Sequence, residues 1–200
     1  MVSKNIKLLP YGNSNFKSVM TENYAYVDKT NFIEMLEKEN NKYQFFIRPR
    51  KFGKSLFFSM LSYYYDMNHA NRFQELFGSL FIGKNPTPRK NSYTVMEFDF
   101  SGIDTNSPDR FLKSFNEKVQ SLVQQFLKKY ESVFAQSDKL IDVIEKRQSG
   151  IRALEIAYGT THHRKTCIGK RTALYPKLLH KNRIVGIYNK VGTNQLQICY

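Results

Sequence analysis

Two hundred residues suffice for one domain, or a domain and a tail, with a sizeable buried core. Hydrophobic residues at 41% and aromatics at 14% fit a soluble globular chain, and no apolar run approaches the roughly 20 residues that span a bilayer. The formal charge of +14 favours polyanionic partners, while two cysteines, Cys167 and Cys199, argue against a disulfide framework or a cysteine-rich zinc site.

The opening stretch MVSKNIKLLPYG has no apolar core of signal-peptide length, so the expected location is the cytoplasm, with no membrane partner. LLPYGNSNF is rich in turn residues. In YAYVDKTNFIEMLEKEN, Asp28 or Thr30 can cap a helix whose apolar positions Phe32, Ile33 and Leu36 recur at helical spacing. YQFFIRP is a short buried-strand pattern stopped by Pro49. KSLFFSMLSYYYDM lacks Gly and Pro and is apolar nearly all round, which predicts a buried helix whose aromatics are core residues.

NRFQELFGSLFIGKNPTPRKNS predicts a short helix ending at Gly78 and then a loop. YTVMEFDFSGI is a second strand. SPDRFLKSFNEKVQSLVQQFLKKYESVF is the clearest amphipathic helix: Ser107 caps it, Pro108 takes the first position, and Phe111, Leu112, Phe115, Val119, Leu122, Val123, Phe126 and Leu127 trace one face. A further helix is expected over SDKLIDVIEKRQ, residues 137–148. Strand, helix, strand, helix predicts an α/β fold with a mainly parallel sheet flanked by helices.

At Gly150 the composition changes. Residues 1–150 hold 22 Lys/Arg and 16 Asp/Glu, whereas residues 151–200 hold 9 and 1 and contain no Phe or Asp. The expected organisation is a domain over residues 1–148 and a basic tail of uncertain order over 149–200. Three readings of that tail stand open: a basic surface extension, a nucleic-acid-binding tail, or a segment out of frame with the domain.

RPRKFGKS, residues 48–55, lies between the first strand and the buried helix. A phosphate-binding loop reads G-x-x-x-x-G-K-[ST]: backbone N–H groups and a helix N-terminus face the phosphates, the lysine reaches them, and the hydroxyl binds Mg²⁺. Gly53, Lys54 and Ser55 satisfy the second half. Arg48 stands where the first glycine belongs, and Pro49 removes an N–H, a loss that Arg48, Arg50 and Lys51 can offset by charge. By spacing alone, a phosphate loop and a chance tripeptide both remain open.

Four blocks, LPYGNSNFKSVMTENYAYVDKTNFIEMLE, QFFIRPRKFGKSLFFSMLSYYYD, RFQELFGSLFIGKNPTPRKNSY and VMEFDFSGID, resemble in order the N-terminal part of the bacterial AAA-ATPase-like family, over about residues 6–147. That family pairs this domain with a nuclease-like C-terminal domain, and its loop carries the same arginine-proline-arginine start. The resemblance implies a P-loop NTPase-like fold, here incomplete, binding ATP and Mg²⁺ through a variant Walker A loop. Arg48, Arg50, Phe52, Gly53, Lys54, Ser55 and Leu56 become the nucleotide contacts, and the Ser55 hydroxyl the Mg²⁺ ligand.

The family continues into an apolar strand ending in Asp-Glu, which holds the metal and activates water; no such strand follows Gln148. Hydrolysis is therefore expected to be impaired, no catalytic residue is assigned, and whether the chain is an enzyme stays open. Asp99 ends a different strand and is expected to cap or pair there. Asp28 and Lys29 either lie beside the nucleotide or serve as a cap and a solvated lysine. His162, His163 and Cys167 lack a fourth ligand at zinc spacing. The rival functions are a non-enzymatic nucleic-acid binder using the basic surface and tail, and an inactive truncated remnant.

Overall fold

The computed structural model describes residues 7–39, 43–47, 49, 51–99, 102–134, 141, 183–189 and 196–199, with 43–45, 183–189 and 196–199 as backbone alone. Arg48, Arg50, the helix expected over 137–148 apart from Ile141, and His162, His163 and Cys167 lie outside the described residues. The chain forms two compact units, the first running to Tyr93 and the second starting at Thr94.

In the first unit, α1 (Phe16–Thr21) is capped by the Asn15 side chain, which accepts from the Ser18 N–H at 3.2 Å. α2 (Asn31–Glu39) buries Ile33 and Leu36 and leaves Phe32 outside that stripe, 40% exposed. β1 is short, Tyr43–Phe45. α3 (Lys54–Tyr65) departs from the expected all-round burial: Met60, Leu61, Ser62, Tyr64 and Tyr65 are buried, but the first turn is open and Ser55 is exposed.

The end of α3 is tied down by Asn91. Its N–H donates to the Tyr64 carbonyl at 2.9 Å, and its side-chain amide donates to the Asp66 and Tyr63 carbonyls at 2.8 and 3.3 Å. These are carbonyls that a helix end leaves without intrahelical donors. Asn91 has φ +46°, a left-handed conformation that asparagine tolerates better than most residues.

A 3-10 helix (Met67–Arg72) leads into α4 (Phe73–Phe77), which ends at Gly78 as expected. The segment beyond is not simply a loop, because it contains a further helical turn, α5 (Phe81–Lys84). Gly83 is required there, since a Cβ would collide with the Phe77 carbonyl. Phe16 stacks on Phe77 at 5.0 Å between ring centroids, and Phe77 meets Phe73 and Tyr64 at 5.3 and 5.5 Å. Such pairs add about 0.5–1.5 kcal/mol each beyond burial.

In the second unit, β2 (Tyr93–Asp99) buries Thr94, Val95 and Met96 in succession, then alternates, with Glu97 and Asp99 exposed. β3 (Arg183–Asn189) lies between β2 and β4 (Leu196–Cys199), so part of the expected tail forms strands.

α6 (Pro108–Lys129) begins as expected, with the Ser107 hydroxyl accepting from the Arg110 N–H at 3.3 Å. Val119, Val123, Phe126 and Leu127 form one core with Met96 and Phe98 of β2, while Phe111 and Leu112 at the start of the traced face are exposed. Tyr130, just past α6, inserts its hydroxyl into the β2 backbone: Val95 N–H donates to it at 2.8 Å, and it lies 3.3 Å from the Val95 carbonyl.

Candidate functional site

The loop ending in KFGKS has a shape that its sequence requires. Lys51 and Gly53 both adopt left-handed backbone conformations, φ +66° and +72°. Glycine takes this without penalty, whereas lysine does so at a cost of about 1 kcal/mol. Alternating hands turn successive backbone N–H groups toward one side, the arrangement of an anion-binding nest.

Gly53 is also the N-cap of α3. The Phe57 N–H bonds the Gly53 carbonyl at 2.9 Å, so the N–H groups of Lys54, Ser55 and Leu56 precede the helical ladder. The partial positive charge of a 12-residue helix is added to theirs. Lys54 folds back across the loop, and its Nζ donates to the Pro49 carbonyl at 2.8 Å. Its ammonium is thereby tied to the start of the loop, while Ser55 stands exposed one residue on.

Beside the loop lies a cavity of about 170 Å³ lined by Lys29, Phe32, Phe46, Phe52, Gly53, Lys54 and Phe57. Phe57 is central, with its ring centroid 5.1 Å from Phe46 and 6.5 Å from Phe32. Of the expected loop contacts, Phe52, Gly53 and Lys54 meet at this cavity, with Ser55 and Leu56 following in the first helical turn. Phe32, Phe46 and Phe57 were not expected at the site, whereas a place for Lys29 beside it was one of two open readings. Helical spacing cannot separate an aromatic that packs in a core from one that lines a cavity, and only the YVDKT segment offered a signal, through Lys29.

Asp28 has a different task from the one its position suggests. Its Oδ1 accepts from Thr30 N and Thr30 Oγ1 at 2.8 and 2.7 Å, and its Oδ2 accepts from Phe81 N at 2.8 Å. Thr30 Oγ1 in turn accepts from Ile82 N at 3.1 Å. The two side chains therefore cap α5, more than fifty residues on, and hold the turn that places Lys29. Desolvation works to raise the Asp28 pKa, but the bonds from Thr30 and Phe81, with Lys84 beyond, hold it below the usual carboxylate range.

A neighbouring polar network ties the back of α3. Glu37 Oε1 accepts from Tyr65 Oη at 3.0 Å and Thr87 Oγ1 at 2.9 Å, and Tyr64 Oη lies 3.0 Å from Thr87 Oγ1. It satisfies two buried tyrosines. Asp99 is exposed at the end of β2, in the second unit. Among the described residues, no three His, Cys, Asp or Glu side chains come together to hold a metal, and no helix is long and apolar enough to cross a membrane.

No curated protein and no solved structure shows significant similarity to the chain. The AAA-ATPase-like family, described as predicted AAA-ATPase, matches it over residues 10–161, a range that contains the loop, the cavity, β2 and α6. With three quarters of its length covered by that match, the chain belongs to the AAA-ATPase-like family.

Proposed function

We propose that the chain binds ATP with Mg²⁺ at the loop RPRKFGKS, as a variant Walker A loop on a P-loop NTPase-type α/β domain with a mainly parallel sheet. The observation that carries this reading is the Lys54 ammonium bonded to the Pro49 carbonyl at 2.8 Å from the first residue of α3, just after the left-handed Gly53. A triphosphate fits this donor set: N–H groups from Lys54 to Leu56, one ammonium, and a hydroxyl at Ser55. Ser55 would hold Mg²⁺ through its oxygen, the kind of ligand this cation prefers, and the bound metal would supply neutralisation of phosphate charge. Arg48, Arg50 and Lys51 add positive charge along the same loop.

Hydrolysis is impaired in this reading. Residues 149–200 contain one acidic residue, Glu155, and no Asp-Glu pair to hold the metal and orient water. The loss of such groups costs orders of magnitude in rate. Titration with a fluorescent ATP analogue and Mg²⁺ tests the site. Lys54→Ala should weaken binding at least about tenfold, the scale of a charge-assisted bond; equal binding by both proteins sinks the assignment.

A second reading, nucleic-acid binding, is favoured by the charge of residues 151–200, 9 Lys/Arg against 1 acidic residue. It requires affinity for DNA or RNA that falls steeply with salt and is lost on removing those residues. No mobility shift at moderate salt would eliminate it.

A further inference from the structure

The cavity beside the KFGKS loop is unbalanced in charge. Among the described residues its lining holds two lysines, Lys29 and Lys54, one glycine and four phenylalanines, and no carboxylate. Two cations that share a wall without an acidic partner repel each other, and an anion between them relieves that repulsion. Lysine packs its stem along apolar surface and keeps its head in water, so a phenylalanine wall and an anion held at its edge are compatible.

Lys29 reaches this cavity from outside the loop, from the segment ahead of α2. Its backbone is fixed. Its carbonyl accepts from the Phe32 N–H at 3.2 Å, while Asp28 on one side accepts from Phe81 N at 2.8 Å and Thr30 on the other accepts from Ile82 N at 3.1 Å. The Lys29 side chain stands outside that network: it is exposed, and among the described residues it has no hydrogen bond or ion pair. The adjacent Asp28 carboxylate is taken up by Thr30 and Phe81, and Lys84 is the cation that acts on it. A fixed turn carrying an unpaired cation is preorganised for an anion, because only the side chain is ordered on binding.

We propose that Lys29 is a second phosphate-binding lysine, its ammonium bonding an oxygen of a phosphate chain seated on the KFGKS loop. The inference rests on the phosphate-loop reading above and adds to it a contact from outside the loop. Lys29 acts there as a point charge, so a second cation of similar length can replace it.

Calorimetry on the full chain with Mg²⁺ and inorganic tripolyphosphate, a probe without a base, tests this. Lys29→Met keeps the stem and removes the charge; at about 0.05 M salt it should weaken binding roughly 5- to 10-fold, between a screened surface pair and a full charge-assisted bond. Lys29→Arg should stay within about threefold of wild type. The gap between Lys29→Met and wild type should narrow at about 0.5 M salt, where charges are screened beyond a few ångströms. Lys54→Ala is the control for the loop and should weaken binding as well.

Tripolyphosphate bound equally by Lys29→Met and wild type, with Lys54→Ala weakened, overturns the second lysine while the loop reading stands. A loss that salt leaves unchanged, or that Lys29→Arg shares in full, makes Lys29 a packing residue and overturns its charge role. Wild-type protein that does not bind tripolyphosphate, or Lys54→Ala that binds it as tightly as wild type, overturns the loop reading and this inference with it.

Discussion

Replacing Asp28 by alanine removes the acceptor on which three donors converge: Thr30 Oγ1 at 2.7 Å, Thr30 N at 2.8 Å and Phe81 N at 2.8 Å. Hydrogen bonds to a charged acceptor contribute about 1.5–3 kcal/mol each, but they share one carboxylate, and its partial exposure screens them. Loss of a helix cap alone costs about 0.5–2 kcal/mol. The expected destabilisation is therefore about 2–3 kcal/mol, against a total stability of about 5–15 kcal/mol.

Asp28→Asn keeps one carbonyl oxygen, which can serve either Thr30 or Phe81 but not both, and should cost about half as much. The pH dependence has a definite sign. The Asp28 pKa is depressed in the folded protein, so its contribution is present above the ordinary value of 3.8 and disappears as pH falls through the folded value. Urea denaturation at pH 7 and near pH 3 should show the gap between wild type and Asp28→Ala shrinking in acid. A gap below about 0.5 kcal/mol at pH 7, or one that persists unchanged in acid, would refute the reasoning.

Tyr130→Phe removes both bonds to Val95 and leaves buried backbone groups of β2 short of partners, an expected loss of about 1–3 kcal/mol by urea denaturation; a neutral result contradicts that role. Asn91→Ala uncovers the carbonyls at the end of α3 and strains a residue at φ +46°, so the melting temperature should fall by several degrees. Burial raises the Tyr26 pKa above its ordinary value of 10.0, reinforced by the Asp28 charge against the Lys29 N–H. Its contribution is present below pH 10 and lost as pH rises through the folded value, so a Tyr26→Phe variant should show a weaker alkaline loss of stability than wild type.

The features legible in the sequence are those whose chemistry is short-range. Ser107 followed by Pro108 marks the start of α6, Gly78 ends α4, and YTVMEFD reads as a strand, because caps, turns and alternation act over a few residues. The loop was legible for the same reason: Gly53, Lys54 and Ser55 sit between a strand and a helix, and the order of the surrounding blocks carried the family.

What the local pattern could not contain are pairings between distant segments. Asp28 looked like a cap for α2, yet its second oxygen holds Phe81, 53 residues on. Tyr130 completes β2 from 35 residues away. Phe32, Phe46 and Phe57 share the spacing of core residues, and only the tertiary arrangement brought them to the edge of the KFGKS loop with Lys29. The sequence by itself determined where the backbone can turn left-handed ahead of α3, since that depends on Gly53 and its immediate neighbours. The tertiary structure decided what lies beside that turn, because a cavity wall is assembled from side chains whose proximity arises only when separate segments pack.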